Sequence, residues 1–264
     1  MKSMNIKITS KNIILALGIV LTPLLTACVT TNGDGATTTE EVTPDRDKAD
    51  IYAQLAVSYM KKEQYETAQG ELEKALLIQP NHSQSNYVMG LLMIQTKQYD
   101  KVEGFMVRAV EADSQNSHAA HDFGSFLCQR GEELRSVEYF DRAVANPYFK
   151  RPGLSLMRAG ECLYQVGRTE QAEAYLKQSL QRNAKFKPAL FSLAKIKYET
   201  QSYLSARAYI ERFNAITKPQ PSALLLGYQI ELKLNANDVA EKYRAQLLDK
   251  FPASAQARSL RNRS

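Results

Sequence analysis

A spacing of 34 residues recurs through most of this chain, and a chain with that period can fold only as a stack of like units. Segments beginning at Ala49, Ser83, Ser117, Gly153, Lys187 and Pro221 align with one another. Their eighth residues are small in the first five: Ala56, Gly90, Gly124, Gly160 and Ala194. Their twentieth are small or modest: Ala68, Val102, Ser136, Ala172 and Ala206. Their twenty-fourth are large and apolar: Leu72, Met106, Phe140, Leu176 and Ile210. Small residues are needed where two helices cross closely, and large ones fill the gap to the next unit. Each unit is therefore a pair of helices that cannot bury both its faces alone, so neighbours must stack.

This is the tetratricopeptide pattern. It predicts an all-α fold, a right-handed superhelical solenoid of six helix pairs over residues 49–254, with one continuous core. In the second pair Gly90 is expected to let the backbones approach near Val102. Punctuation supports the register. Pro80, at the thirty-second place of the first segment, lacks the amide that would continue a helix. The sixth pair is degenerate, with Tyr228 where a small residue belongs and Gly227 one step earlier, as a terminal capping unit requires. Between the third and fourth pairs, Asn146 to Gly153 carries extra residues, which places a surface insertion there. Its Tyr148 and Phe149 either cover the adjoining core or are offered to a partner.

The first residues read as an address rather than as fold. Lys2, Lys7 and Lys11 precede an apolar run from Ile13 to Leu25, too short for a comfortable membrane span. Leu25-Thr26-Ala27-Cys28 then resembles a bacterial lipobox, which implies cleavage after residue 27 and acylation of Cys28. Several acyl chains on one cysteine would hold the chain firmly, at about 0.8 kcal/mol per buried methylene. Val29 follows instead of an Asp, which favours the outer membrane. Residues 28–48 read as the lipidated cysteine and a polar tether, spanning roughly 25 Å on average. The domain plan is thus a signal peptide at 1–27, this tether, the repeats at 49–254 and a basic tail at 255–264. In that tail Arg258, Arg261 and Arg263 are expected on a frayed, solvated helix end rather than at a phosphate-binding site.

Charge and cysteines narrow the partners. The formal net charge of +6 includes the three signal lysines, and about +3 remains without them. No dense basic stripe marks a nucleic-acid surface. Cys128 and Cys162 fall on the first helices of adjacent pairs, in a compartment expected to be oxidising. A disulfide between them is expected; two buried free thiols are the alternative. His118 and His121 lie three apart with Asp122 beside them, but no third metal ligand follows. No nucleophile elbow or phosphate loop appears. The expectation is therefore no catalysis, no metal, no cofactor and no small-molecule substrate.

In such a stack the first helices line an inner concave wall, at their second, fifth, ninth and twelfth places. In the third pair these are His118, His121, Ser125 and Cys128, a polar set. In the first two pairs they include Val57, Met60, Tyr87, Leu91 and Ile94. An apolar floor rimmed by polar residues marks a docking surface, here for an amphipathic helix or an extended segment. Met60 suits an adaptable contact and Tyr87 an anchor.

Phe123-Gly124-Ser125-Phe126-Leu127-Cys128, then Asn146-Pro147-Tyr148, then Gly160-Glu161-Cys162 resembles the type IV pilus biogenesis and stability lipoproteins, outer-membrane pilotins with six of these repeats. Ala206-Arg207-Ala208-Tyr209 is similar too, while Phe123 departs from the aromatic hydroxyl common there. The resemblance implies a protein that binds subunits of the pilus secretin and promotes their outer-membrane localisation, multimer assembly or stability. Two other repeat-lipoprotein classes share the anchor: adaptors that dock peptidoglycan hydrolases, and members of the machine that inserts outer-membrane barrels. The cysteine pair and the insertion favour the pilus reading.

Overall fold

The computed structural model describes residues 44–261. Cys28, the segment before it, residues 29–43 of the expected tether and Arg263 lie outside that range. Thirteen helices and no strands fill the described residues. The first twelve form six pairs: α1 (Pro44–Met60) with α2 (Tyr65–Ile78), α3 (Ser83–Gln95) with α4 (Tyr99–Ala112), and α5 (Ser117–Gln129) with α6 (Glu133–Ala145). Then come α7 (Pro152–Gln165) with α8 (Thr169–Arg182), α9 (Lys187–Glu199) with α10 (Tyr203–Asn214), and α11 (Pro221–Lys233) with α12 (Asn237–Lys250). Helix α1 starts at Pro44, so the last residues assigned to the tether are helical.

Within a pair, the small residue at the eighth place works as its spacing predicts. A Cβ on Gly160 would come within 2.9 Å of the Ala172 carbonyl oxygen on α8 and 2.8 Å of Leu176. The eighth place therefore meets both the twentieth and the twenty-fourth. At Gly90 the neighbour is the Met106 side chain, at the twenty-fourth, rather than Val102. In the sixth pair Gly227 takes over this role, since a Cβ there would meet the Tyr243 ring at 2.7 Å. The shift by one residue explains why Tyr228 is tolerated at the eighth place.

The turn between the two helices of every pair shares one device. Its fifteenth residue is left-handed in all six: Glu63, Lys97, Gly131, Gly167, Gln201 and Asn235, with φ between 57° and 81°. The two glycines adopt this freely; the others carry a Cβ penalty. Turns between pairs use a different device in three cases. The side-chain oxygens of Asp113, Asn146 and Asn183 accept from the backbone amides of Gln115, Tyr148 and Lys185 at 2.8, 2.9 and 3.0 Å. Proline enters the first turns of α7, α9 and α11, where its missing amide costs no helical bond.

Stacking is not uniform, and the core is not one body. One apolar cluster runs through the first three pairs, from Ala53 to Phe149. A second runs from Met157 to Ile230. Between them sits a small cluster of Phe140, Ala159 and Cys162. The expected continuous core is thus divided at the join of the third and fourth pairs, where the insertion lies. There the Cys128 and Cys162 sulfurs are bonded, with their Cα atoms 5.9 Å apart. The insertion splits its two aromatics: Phe149 is turned in against His118, and Tyr148 is 87% exposed.

The far end is closed by more than the sixth pair. The expected basic tail folds over Ala255–Arg261 into a short helix, α13. Its Ala257 and Leu260 are buried with Leu224 of α11 and Leu247 of α12. Arg258 and Arg261 are not on a frayed end; they donate to the Ala253 and Pro252 carbonyl oxygens at 2.7 and 3.0 Å. One join back, the buried Glu231 carboxylate on α11 is held by both arms of the Arg207 guanidinium on α10.

Two outcomes follow from these joins and turns. Replacing Lys97→Gly removes a left-handed Cβ and should raise the unfolding free energy by about 0.5–1 kcal/mol, while Gly131→Val should lower it by a similar amount. Denaturant midpoints of the purified chain check both. Cys128→Ser/Cys162→Ser opens a loop of 34 residues. Its removal should cost about 3–4 kcal/mol in the chain-entropy model. Faster amide exchange in α5 to α8 than in α1 to α4 would locate that loss at the join.

Candidate functional site

First helices of successive pairs pack on one another at most joins, α1 on α3, α5 on α7, α7 on α9 and α9 on α11, whereas second helices do not. First helices therefore form the tighter, inner side of the stack. Along it runs a row of polar ties, each spanning about one repeat. His82 Nε2 lies 3.2 Å from an Asp50 carboxylate oxygen. The Tyr87 hydroxyl donates to Asp122 at 2.6 Å. His121 Nδ1 lies 2.8 Å from the Ser155 hydroxyl, and Ser192 donates to Glu161 at 2.8 Å. Tyr164 donates to Glu199. The disulfide belongs to the same row.

These ties set the protonation of the wall. Burial, then the Asp122 charge, pushes the Tyr87 phenol far above its ordinary range, so it stays a neutral donor. Burial and Glu199 push the Tyr164 phenol up to about 12. Burial lowers the His121 and His82 imidazoles, against the opposing pull of Asp122 and Asp50. His118 does not converge with His121 on a common point: it accepts from Arg151 at 3.1 Å while His121 faces Ser155. Among the described residues no group of three potential ligands is assembled.

The five residues expected as an apolar floor lie on the first two first helices, α1 and α3. Val57, Met60, Tyr87, Leu91 and Ile94 are all half-buried and lean on the first apolar cluster. They form a shallow strip, neither sealed in the core nor standing free of it. Tyr87 contributes its ring to the strip, but its hydroxyl is engaged on α5. At the fifth place the wall is closed in three pairs, where Ala53, His121 and Met157 are buried, and half-open at Tyr87 and Phe191. The ninth and twelfth places leave side chains half open in both pairs of the strip.

Beyond the strip, α5 and α7 enclose a cleft of about 340 Å³ beside the disulfide. His121, Asp122, Ser125, Arg158, Glu161 and Gln165 line it with both cysteines. Glu161 accepts from Arg158 at 3.1 Å as well as from Ser192, so its carboxylate is held in place. Its small volume and paired charges suit a polar side chain or water better than a helix. The wall positions had marked Ser125 and Glu161, but not Arg158, which lies between wall places and shows only once α7 is set against α5. Of the residues that carry the pilus resemblance, both cysteines line this cleft, whereas Phe123 and Gly124 pack inside the third pair, against α6. Phe123 is fully buried 4.4 Å from the Tyr139 ring, and Gly124 lies 3.0 Å, at its Cβ position, from the Ser136 carbonyl oxygen.

Known proteins match this architecture. The tetratricopeptide repeat model matches residues 49–82 and 155–186. The type IV pilus assembly protein PilF of Pseudomonas aeruginosa is 26% identical over 232 residues, 87% of this chain and 90% of that protein. The solved structure of Pseudomonas aeruginosa PilF aligns with a TM-score of 0.68 at 23% identity, covering 83% of this chain and 99% of that one. The crystal structure of PilW, described as a widely conserved type IV pilus biogenesis factor, aligns with a TM-score of 0.67 at 30% identity. It covers 80% of this chain and 97% of that one. By that likeness, which spans all six helix pairs' worth of fold and not a single repeat, the chain belongs to the PilW family of tetratricopeptide-repeat type IV pilus biogenesis factors.

Proposed function

We propose that this chain is an outer-membrane lipoprotein that binds subunits of the type IV pilus secretin and promotes their localisation, multimer assembly or stability. The observation that carries the reading is family membership joined to the half-open apolar strip of Val57, Met60, Tyr87, Leu91 and Ile94. The strip lies on the pairs nearest the N-terminus, where acylation at Cys28 would hold the chain to the membrane. An apolar segment of a secretin subunit laid on it would exchange water for side-chain contact. Met60 can adjust to such a segment, while Tyr87 is held in place by Asp122. No turnover is required: position and contact are the whole mechanism.

Secretin multimers in unboiled gels of outer membranes test this reading. Deleting the gene should abolish the multimer while monomer persists; normal multimers in the normal membrane would overturn it and favour docking of cell-wall enzymes. Leu91→Glu puts a charge on the strip and should weaken secretin binding by about tenfold or more, about 1.4 kcal/mol. Circular dichroism and the melting temperature of the variant show whether the stack stays folded. Cys28→Ala, in turn, should move the protein from the membrane pellet to the soluble periplasmic fraction.

A further inference from the structure

Next to the cleft beside the disulfide, and sharing Leu154 with it, a second concavity of about 570 Å³ opens where the fourth pair meets the insertion and the fifth pair. The first turns of α7 and α9 and the end of α8 line it. Its floor is apolar, from Pro152, Leu154, Phe186 and Pro188. Its rim is cationic: Lys150, Arg151 and Arg182 line it, and Lys185 and Lys187 flank Phe186 in the chain. These five side chains are exposed. Arg151 donates to His118. The other four have no carboxylate partner among the described residues.

The arrangement is local. Without Lys2, Lys7 and Lys11 the formal net charge is about +3, so these five cations exceed the whole remaining excess. The corresponding turns after the first and second pairs, Gln79 to His82 and Asp113 to Asn116, carry no lysine or arginine. Unpaired like charges around one mouth repel each other, and a complementary ligand relieves that repulsion while gaining attraction. An apolar floor adds a second requirement. A bare anion would satisfy the rim and leave the floor wet. A flat headgroup surface would touch the rim without filling the hollow.

We propose that this edge is a docking surface for an acidic peptide segment that sets one apolar side chain into the floor while its carboxylates meet Lys150, Arg151 and Arg182. The surface is separate from the apolar strip, and the proposal does not rest on the secretin reading.

The test uses the full-length chain in a non-ionic detergent and a fluorescein-labelled peptide of glutamates with one central phenylalanine. Fluorescence anisotropy should rise saturably, and the affinity should fall at least about tenfold in Lys150→Glu/Arg182→Glu and again with added salt. Exchanging the phenylalanine for serine should also weaken it. Lys185→Glu/Lys187→Glu provides a second charge reversal on exposed side chains, with the melting temperature as the folding control. No saturable binding, or equal binding by both reversed variants, would overturn the proposal. So would enrichment on phosphatidylglycerol over phosphatidylcholine vesicles without any peptide binding, which would assign the rim to a lipid surface.

Discussion

No helix pair in this chain can bury both its faces, and every other feature depends on how the pairs are joined. Within a pair the solution is geometric: a small eighth residue lets two helices cross, as Gly160 does against the Ala172 carbonyl. Between pairs it is partly chemical. Apolar packing supplies most of the contact, and polar ties such as Tyr87 to Asp122 and Arg207 to Glu231 fix its register. At the join of the third and fourth pairs, a covalent bond is added to the packing of Phe140, Ala159 and Cys162.

That join gives the structure its organisation. The insertion lies between the third and fourth pairs, where one apolar cluster gives way to the next through Phe140, Ala159 and Cys162. Phe149 is buried beside His118 and His121, and the Cys128–Cys162 bond ties α5 to α7. Tyr148 stays exposed, but Phe123, Phe149, Cys128 and Cys162, which set this chain apart from a generic repeat protein, serve packing or the tie between pairs. Their physical task is to hold two half-stacks as one surface. A long partner lying along the inner wall needs such a fixed geometry, because each loose join would add an ordering cost to binding.

The two surfaces answer to different physics. The strip on α1 and α3 offers half-buried apolar side chains with little charge, suited to contact driven by water release. The edge at α7 to α9 offers unpaired cations around a small apolar hollow, suited to steering and register. They lie on different pairs, so occupation of one need not block the other.

The 34-residue period by itself determined that the chain is all-α, that it has six helix pairs and where nearly every pair begins, because each constraint recurs at fixed offsets. The left-handed turn residue was hidden in the sequence, because Glu63, Lys97, Gln201 and Asn235 share its place with Gly131 and Gly167. Placing both cysteines on adjacent first helices followed from the same count. Tertiary structure alone decided what the period could not encode. The core divides at the insertion, Phe149 turns in while Tyr148 turns out, Gly227 substitutes for the residue after it, and the last residues cap the stack as α13. It also decided that Tyr87 spends its hydroxyl on Asp122 and that Arg182 joins Lys150 and Arg151 around one mouth. Each of these depends on a neighbour in another repeat, and a period specifies what each unit contains without specifying which side chains two units bring together.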